Sequence, residues 1–162
     1  MPEQKTIERA RADAREGKSP STQAGEFVRE EIEHVRQGKH GARSTKQAIA
    51  IGLSKARRAG VPLKPPAKGK ASEKTRVQAK RNLARAGRKT SPKRSRATTA
   101  ALKREGREAA SRRSLSRQAR ASAQKRGATD RRQAAQKAVR TKGKTGLRKA
   151  AQKAARTRTA GA

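Results

Sequence analysis

Residues Lys39 to Gly60 read KHGARSTKQAIAIGLSKARRAG, and this stretch carries the clearest folding signals in the chain. Ser44 followed by Gln47 three residues on has the spacing of a capping box. Ala48, Ile49, Gly52, Leu53 and Ala56 then recur at helical spacing and make one continuous face. Lys55, Arg57 and Arg58 fall in the last turn, where cations favour the helix dipole. Gly60, Val61 and Pro62 have the order of a Schellman stop with its hydrophobic contact and a proline beyond it.

Working outward, two further helices are expected upstream. TIERARADAREG places Ile7, Ala10 and Ala14 on one stripe and Gly17 at its end. Pro20, Ser21 and Thr22 open a second helix that Gly38 closes. Ala24, Val28, Ile32 and Val35, with Phe27 beside them, form its apolar stripe, and Glu26, Glu30 and Glu33 form an opposite face read as solvated. A sharper alternative is that this acidic face folds back on the chain's own basic half. Ile7, Phe27, Val28, Ile32, Val35, Ile49, Ile51 and Leu53 suffice for a small core.

Downstream the composition changes. Residues 1–60 hold 13 of the 46 Lys+Arg and 8 of the 12 acids, a net of +5; residues 61–162 hold the other 33 and 4, a net of +29. The break falls at GVPLKPPAKGKAS, a Pro/Gly/Lys run expected to be extended and solvated. Beyond it, large apolar residues are too sparse to offset chain entropy. The expected architecture is therefore all-α: a three-helix head at 1–60, a linker at 61–72, and a largely disordered, helix-prone, low-complexity basic tail at 73–162. Within the tail, Arg132–Thr141 (RQAAQKAVRT) and Arg148–Thr157 (RKAAQKAART) agree at eight of ten positions.

Polyanion binding is the chemistry this charge pattern favours. The candidate DNA-contacting residues are Lys39, Arg43, Lys46, Lys55, Arg57 and Arg58 as a basic rim on the head. In the tail they are Lys93, Arg94, Arg132, Lys137, Arg148, Lys149 and Lys153. Lys93 and Arg94 follow Ser91-Pro92, read either as a turn lying along a narrow minor groove or as a plain turn. With no Trp, no Tyr and one Phe, the chain has no stacking platform for unpaired bases, which favours duplex DNA over single-stranded RNA; structured RNA stays open as a partner. A helix-turn-helix is disfavoured by the long GKHGARS connection and by the small and apolar residues of the third helix; Lys46 and Gln47 are its only candidate base readers.

Catalysis finds no support. There is no cysteine, no Gly-rich phosphate loop and no nucleophile elbow. His34 follows Glu30 by four residues without an evident third ligand, so no metal is expected, and His40 reads as a phosphate neighbour. No cofactor is expected. No apolar run approaches membrane-span length and the N-terminus lacks a hydrophobic signal region, so a cytoplasmic, nucleoid-associated location without membrane contact is expected.

The span PSTQAGEFVREEIEHVRQGKHGARSTKQAIAIGLSKARRAG, Pro20 to Gly60, resembles a family of small basic bacterial proteins of unknown function, some labelled DNA-binding or plasmid-stabilisation proteins. The resemblance implies a bacterial intracellular protein and carries no catalytic residues to transfer. The tail resembles in composition the Ala/Lys-rich tails of linker histones and histone-like proteins. Together these readings point to a non-enzymatic, histone-like, largely nonspecific duplex DNA binder whose head docks or self-associates. The alternatives are an RNA- or ribosome-associated basic protein, and a plasmid-maintenance module whose head binds a protein partner.

Overall fold

The computed structural model describes residues 2–88 and 91–159, without the side chains of Thr141, Lys142, Lys153, Thr157 and Arg158. Among the described residues it is all-helical, as expected, with no strand. The helices are α1 (Gln4–Arg15), α2 (Pro20–Arg36), α3 (Thr45–Arg58), α4 (Glu73–Ala84), α5 (Pro92–Lys103), α6 (Arg112–Lys125) and α7 (Ala128–Thr159), with a 3₁₀ turn at Glu108–Ala110. Two compact units divide the chain, Met1–Gln118 and Ala119–Ala162.

The stops expected at the first three helices are present. At the end of α3 the Val61 N–H donates to Ala56 O and the Gly60 N–H to Arg57 O, both at 3.1 Å, with Gly60 at φ 95°. That is the Schellman pattern, and Val61, 7% exposed, supplies its apolar contact. The cap of α3 differs from a reciprocal box in one respect. The Gln47 N–H donates to Ser44 Oγ, but Gln47 Oε1 accepts from the Arg43 N–H, one residue before the cap.

Packing in the first unit is organised by close approach of α2 and α3. Ala48, Gly52 and Ala56, four residues apart, are the buried positions of α3's apolar face, while Ile49, Ile51 and Leu53 are only half-buried. A Cβ at Gly52 would lie 2.7 Å from Val28 Cα and 3.0 Å from Phe27 O, so the backbones meet where the side chain is missing. Two apolar clusters lie on either side. One joins Ala10, Ala24, Phe27, Ala56 and Val61 with Ile7, Leu53 and Leu63; the other joins Ile32, Val35, Ala42 and Ala48 with Ala109, Ala110, Val28 and Leu115.

The second cluster corrects the three-helix head. Ala109 and Ala110 are buried, and the segment before them is clamped to the α2–α3 loop through backbone hydrogen bonds. The Gly41 N–H donates to Leu102 O at 2.9 Å and the Ala42 N–H to Gly106 O at 3.0 Å; Thr45 Oγ1 donates to Ala109 O at 2.6 Å and Arg36 Nε to Ala110 O at 3.1 Å. On the other side of α3, Asn82 Nδ2 of α4 donates to Ser54 Oγ at 3.1 Å. The compact unit thus extends past Gly60 to Gln118. Nor does the linker stay wholly solvated, since Val61 and Leu63 join the first cluster.

The expectation of a largely disordered tail is corrected as well. Residues 73–159 carry α4 to α7, and Ala, Arg, Lys and Gln, strong helix formers, account for this locally even where little is buried. Helix α7 is interrupted at Gly143, at φ 61° and ψ 177°, so each copy of the ten-residue repeat occupies its own helical segment.

Substitution at two helical glycines separates propensity from packing. Gly25→Ala in α2, with nothing within 4 Å of the new Cβ, should stabilise the chain by about 0.5–1 kcal/mol. Gly52→Ala should instead destabilise it by about 1–3 kcal/mol, because backbone rather than a movable side chain must yield. Denaturant unfolding followed by far-UV circular dichroism measures both. At Gly41 an added Cβ would lie 1.8 Å from Glu105 O, so Gly41→Ala should release the 102–110 segment, read as faster amide exchange there than in α2.

Candidate nucleic-acid interface

Among the described residues, the candidate cations differ in exposure, and three on the head are paired within residues 1–63. Arg43 and Lys46 are exposed at the start of α3 and Arg58 is half-exposed at its end. Lys93 and Arg94 are exposed in the first turn of α5, because Ser91 and Pro92 begin that helix instead of forming a turn that could lie along a groove. Arg132, Lys137, Arg148 and Lys149 are exposed along α7, whereas the side chain of Lys153 lies outside the described residues.

Three head residues are committed elsewhere. Lys39 Nζ pairs with Glu3 Oε1 at 3.0 Å. The Lys55 ammonium lies 2.6 Å from Glu31 Oε2 and 3.2 Å from Glu30 Oε1. Arg57, 7% exposed, donates from Nε to Leu63 O at 3.1 Å, and burial pushes its guanidinium down. Lys55 and Arg57 therefore leave the basic rim. Spacing placed them in the last helical turn, but the identity of the neighbours that turn them inward is a tertiary matter.

The acidic face of α2 is corrected too. Glu30 and Glu31 are buried, with 2% and 1% of their side chains exposed. Glu30 Oε2 accepts from the Glu3 N–H at 3.0 Å, and Glu26 pairs with Arg9 at 2.6 Å. Glu33, which is exposed, accepts from Gln37 Nε2. These partners all come from residues 1–60 rather than from the basic half, so among the described residues the fold-back alternative finds no counterpart.

Both histidines meet carboxylates. His34 Nε2 donates to Glu3 Oε1 at 2.8 Å, and this contact, with Lys39 beside it, holds the Glu3 carboxyl at about 2, well below its ordinary range. His40, expected as a phosphate neighbour, instead has Nε2 3.2 Å from the buried Glu31 Oε1 while Nδ1 donates to Gly41 O at 3.0 Å. Sequence reasoning paired His34 with Glu30 and overlooked Glu31. The signal available was the Glu31–His34 spacing of three, which puts both on one helix face.

The buried charges make a stability prediction. Lys55→Met leaves Glu31 without its ammonium and should cost about 3–5 kcal/mol in denaturant unfolding. On a Glu31→Gln background the same change should cost at least about 1 kcal/mol less, since the charge it neutralises is gone.

Residues 4–68 match the model of a family described as a family of unknown function (DUF6496). That span covers α1 to α3, including Glu3's partners His34 and Lys39 and the Glu31–His40 contact. Its description agrees with the resemblance to a family of unknown function, and carries no DNA-binding or plasmid-stabilisation assignment. No curated protein matches the chain. No solved structure matches it.

Proposed function

We propose that this chain is a non-enzymatic protein that binds duplex DNA with little sequence preference, through the basic helical surface of its C-terminal half, and that it works on the nucleoid. The observation that carries this reading is the second unit. Residues 119–162 hold fourteen Lys+Arg and a single acid, Asp130, and the described residues among them are almost all exposed on helices. Such a surface gains its binding free energy from release of condensed counterions, which depends on phosphate spacing and not on base identity.

Helical order strengthens the reading relative to a disordered polycation. Charges held at 1.5 Å rise per residue lose less conformational entropy on meeting a duplex than the same charges on a coil. The chain's one aromatic, Phe27, is 1% exposed, so no ring is offered to unpaired bases. Among the described residues no helix is long and apolar enough to cross a membrane.

Binding of the full chain to duplex DNA at two salt concentrations tests the proposal. If Arg132, Arg140, Arg148 and Lys149 each meet a phosphate, replacing all four by Gln should shrink the slope of log K against log salt by about 3.6, at about 0.9 per contact. Unchanged affinity and slope would show that α7 is not the binding element. Displacement of the duplex by structured RNA at lower concentration than by competitor duplex would move the preference to RNA.

A further inference from the structure

We propose that Glu31, His34 and His40 form a site for one divalent first-row transition metal ion of the zinc type. Glu31 Oε1, His34 Nδ1 and His40 Nε2 are its protein ligands, with the remaining position left to solvent. One donor atom from each residue lies within 4.8 Å of the others. The chain has no cysteine and only two histidines, so any tight site for such an ion must draw on this pair.

The hydrogen bonds assign the tautomers. A carbonyl can only accept, so His40 Nδ1 carries the proton donated to Gly41 O, and the neutral ring keeps its lone pair on Nε2. That nitrogen stands 3.2 Å from Glu31 Oε1, so the two candidate ligand atoms already face one another. Donation from His34 Nε2 to the Glu3 carboxylate likewise leaves Nδ1 as the ligating nitrogen. Carboxylates and carbonyls behind histidines in this way orient metal ligands and raise their basicity. The 3.2 Å separation is also close to the donor–donor edge of about 3.3 Å that tetrahedral bonds of about 2.0–2.1 Å demand.

Burial supplies an independent observation. Both Glu31 oxygens are shut off from solvent and neither has a hydrogen-bond partner; Lys55 and His40 approach them as ion-pair neighbours without hydrogen-bonding geometry. Three carboxylates, Glu3, Glu30 and Glu31, meet two ammonium groups, Lys39 and Lys55, so the cluster is rich in acids for a chain of net charge +34. Lys55 can remain on Glu31 Oε2 while Oε1 turns to the ion. An ion here would tie α2 to the loop that carries the Gly41 and Ala42 clamp, and so would stabilise the first unit by mass action.

Zinc titration of the full, untagged chain tests the site, by calorimetry, by thermal melting and by the ring ¹⁵N resonances of its two histidines. We expect one Zn²⁺ per chain, movement of both imidazole resonances, and a melting temperature raised by Zn²⁺ but not by Mg²⁺. His34→Gln and His40→Gln should each weaken binding by at least about 100-fold, whereas Glu3→Gln, removing only an outer partner, should cost roughly 10–100-fold. Absence of binding, imidazole resonances unmoved by zinc, or full affinity in the His34→Gln/His40→Gln double variant would overturn the assignment. The resonance measurement uses the unaltered chain and decides the matter even if a variant fails to fold.

Discussion

A carboxylate with 1% of its side chain exposed imposes a demand that the surrounding structure has to meet. Glu31 lies on the inner side of α2, and desolvating its charge is tolerable only if cationic or proton-bearing groups are arranged around it. Lys55 comes from α3 and His40 from the loop between the helices, so meeting this demand sets how α3 and the loop lie against α2. The close backbone approach at Gly52 is the apolar counterpart of the same arrangement. Polar and apolar constraints therefore select one helix pairing, which is how a core this small can be specific.

The loop so positioned has a second role. With Gly41 and Ala42 held beside His40, their N–H groups face the carbonyls of Leu102 and Gly106, and the alanines at 109 and 110 close the cluster around Val35. A segment from the basic half is thus recruited into the first unit by backbone hydrogen bonds and two methyl groups. Charge is divided by structure: Glu26, Glu30 and Glu31 are paired inside residues 1–60, while the described cations of α5 and α7 are exposed.

The internal repeat illustrates how low-complexity sequence acquires form. Each copy lacks an apolar face and cannot stack on a neighbour, so no solenoid follows. Alanine, lysine, glutamine and arginine nevertheless favour helix in isolation, and Gly143 at positive φ separates the copies into two helical segments. Judging order from hydrophobic content alone misses this, because local propensity needs no core to express itself.

Local signals were legible from residues alone: the all-α class, three helix stops at Gly17, Gly38 and Gly60, the Ser44 cap, and the α3 face of Ala48, Ile49, Gly52, Leu53 and Ala56, of which Ala48, Gly52 and Ala56 are buried. Each is decided within a few residues, by steric freedom at positive φ, by a side chain reaching its own helix terminus, or by a period of 3.6. What residues alone could not settle were the contacts between distant parts. The recruitment of 102–110, the inward turn of Lys55 and Arg57, the burial of Glu30 and Glu31, and the meeting of Glu31 with His40 all required the assembled fold. A lysine in a last helical turn looks the same in sequence whether it meets phosphate or a buried carboxylate. Only the helix opposite it determines which, since a charge's partner is set by distance in space and not along the chain.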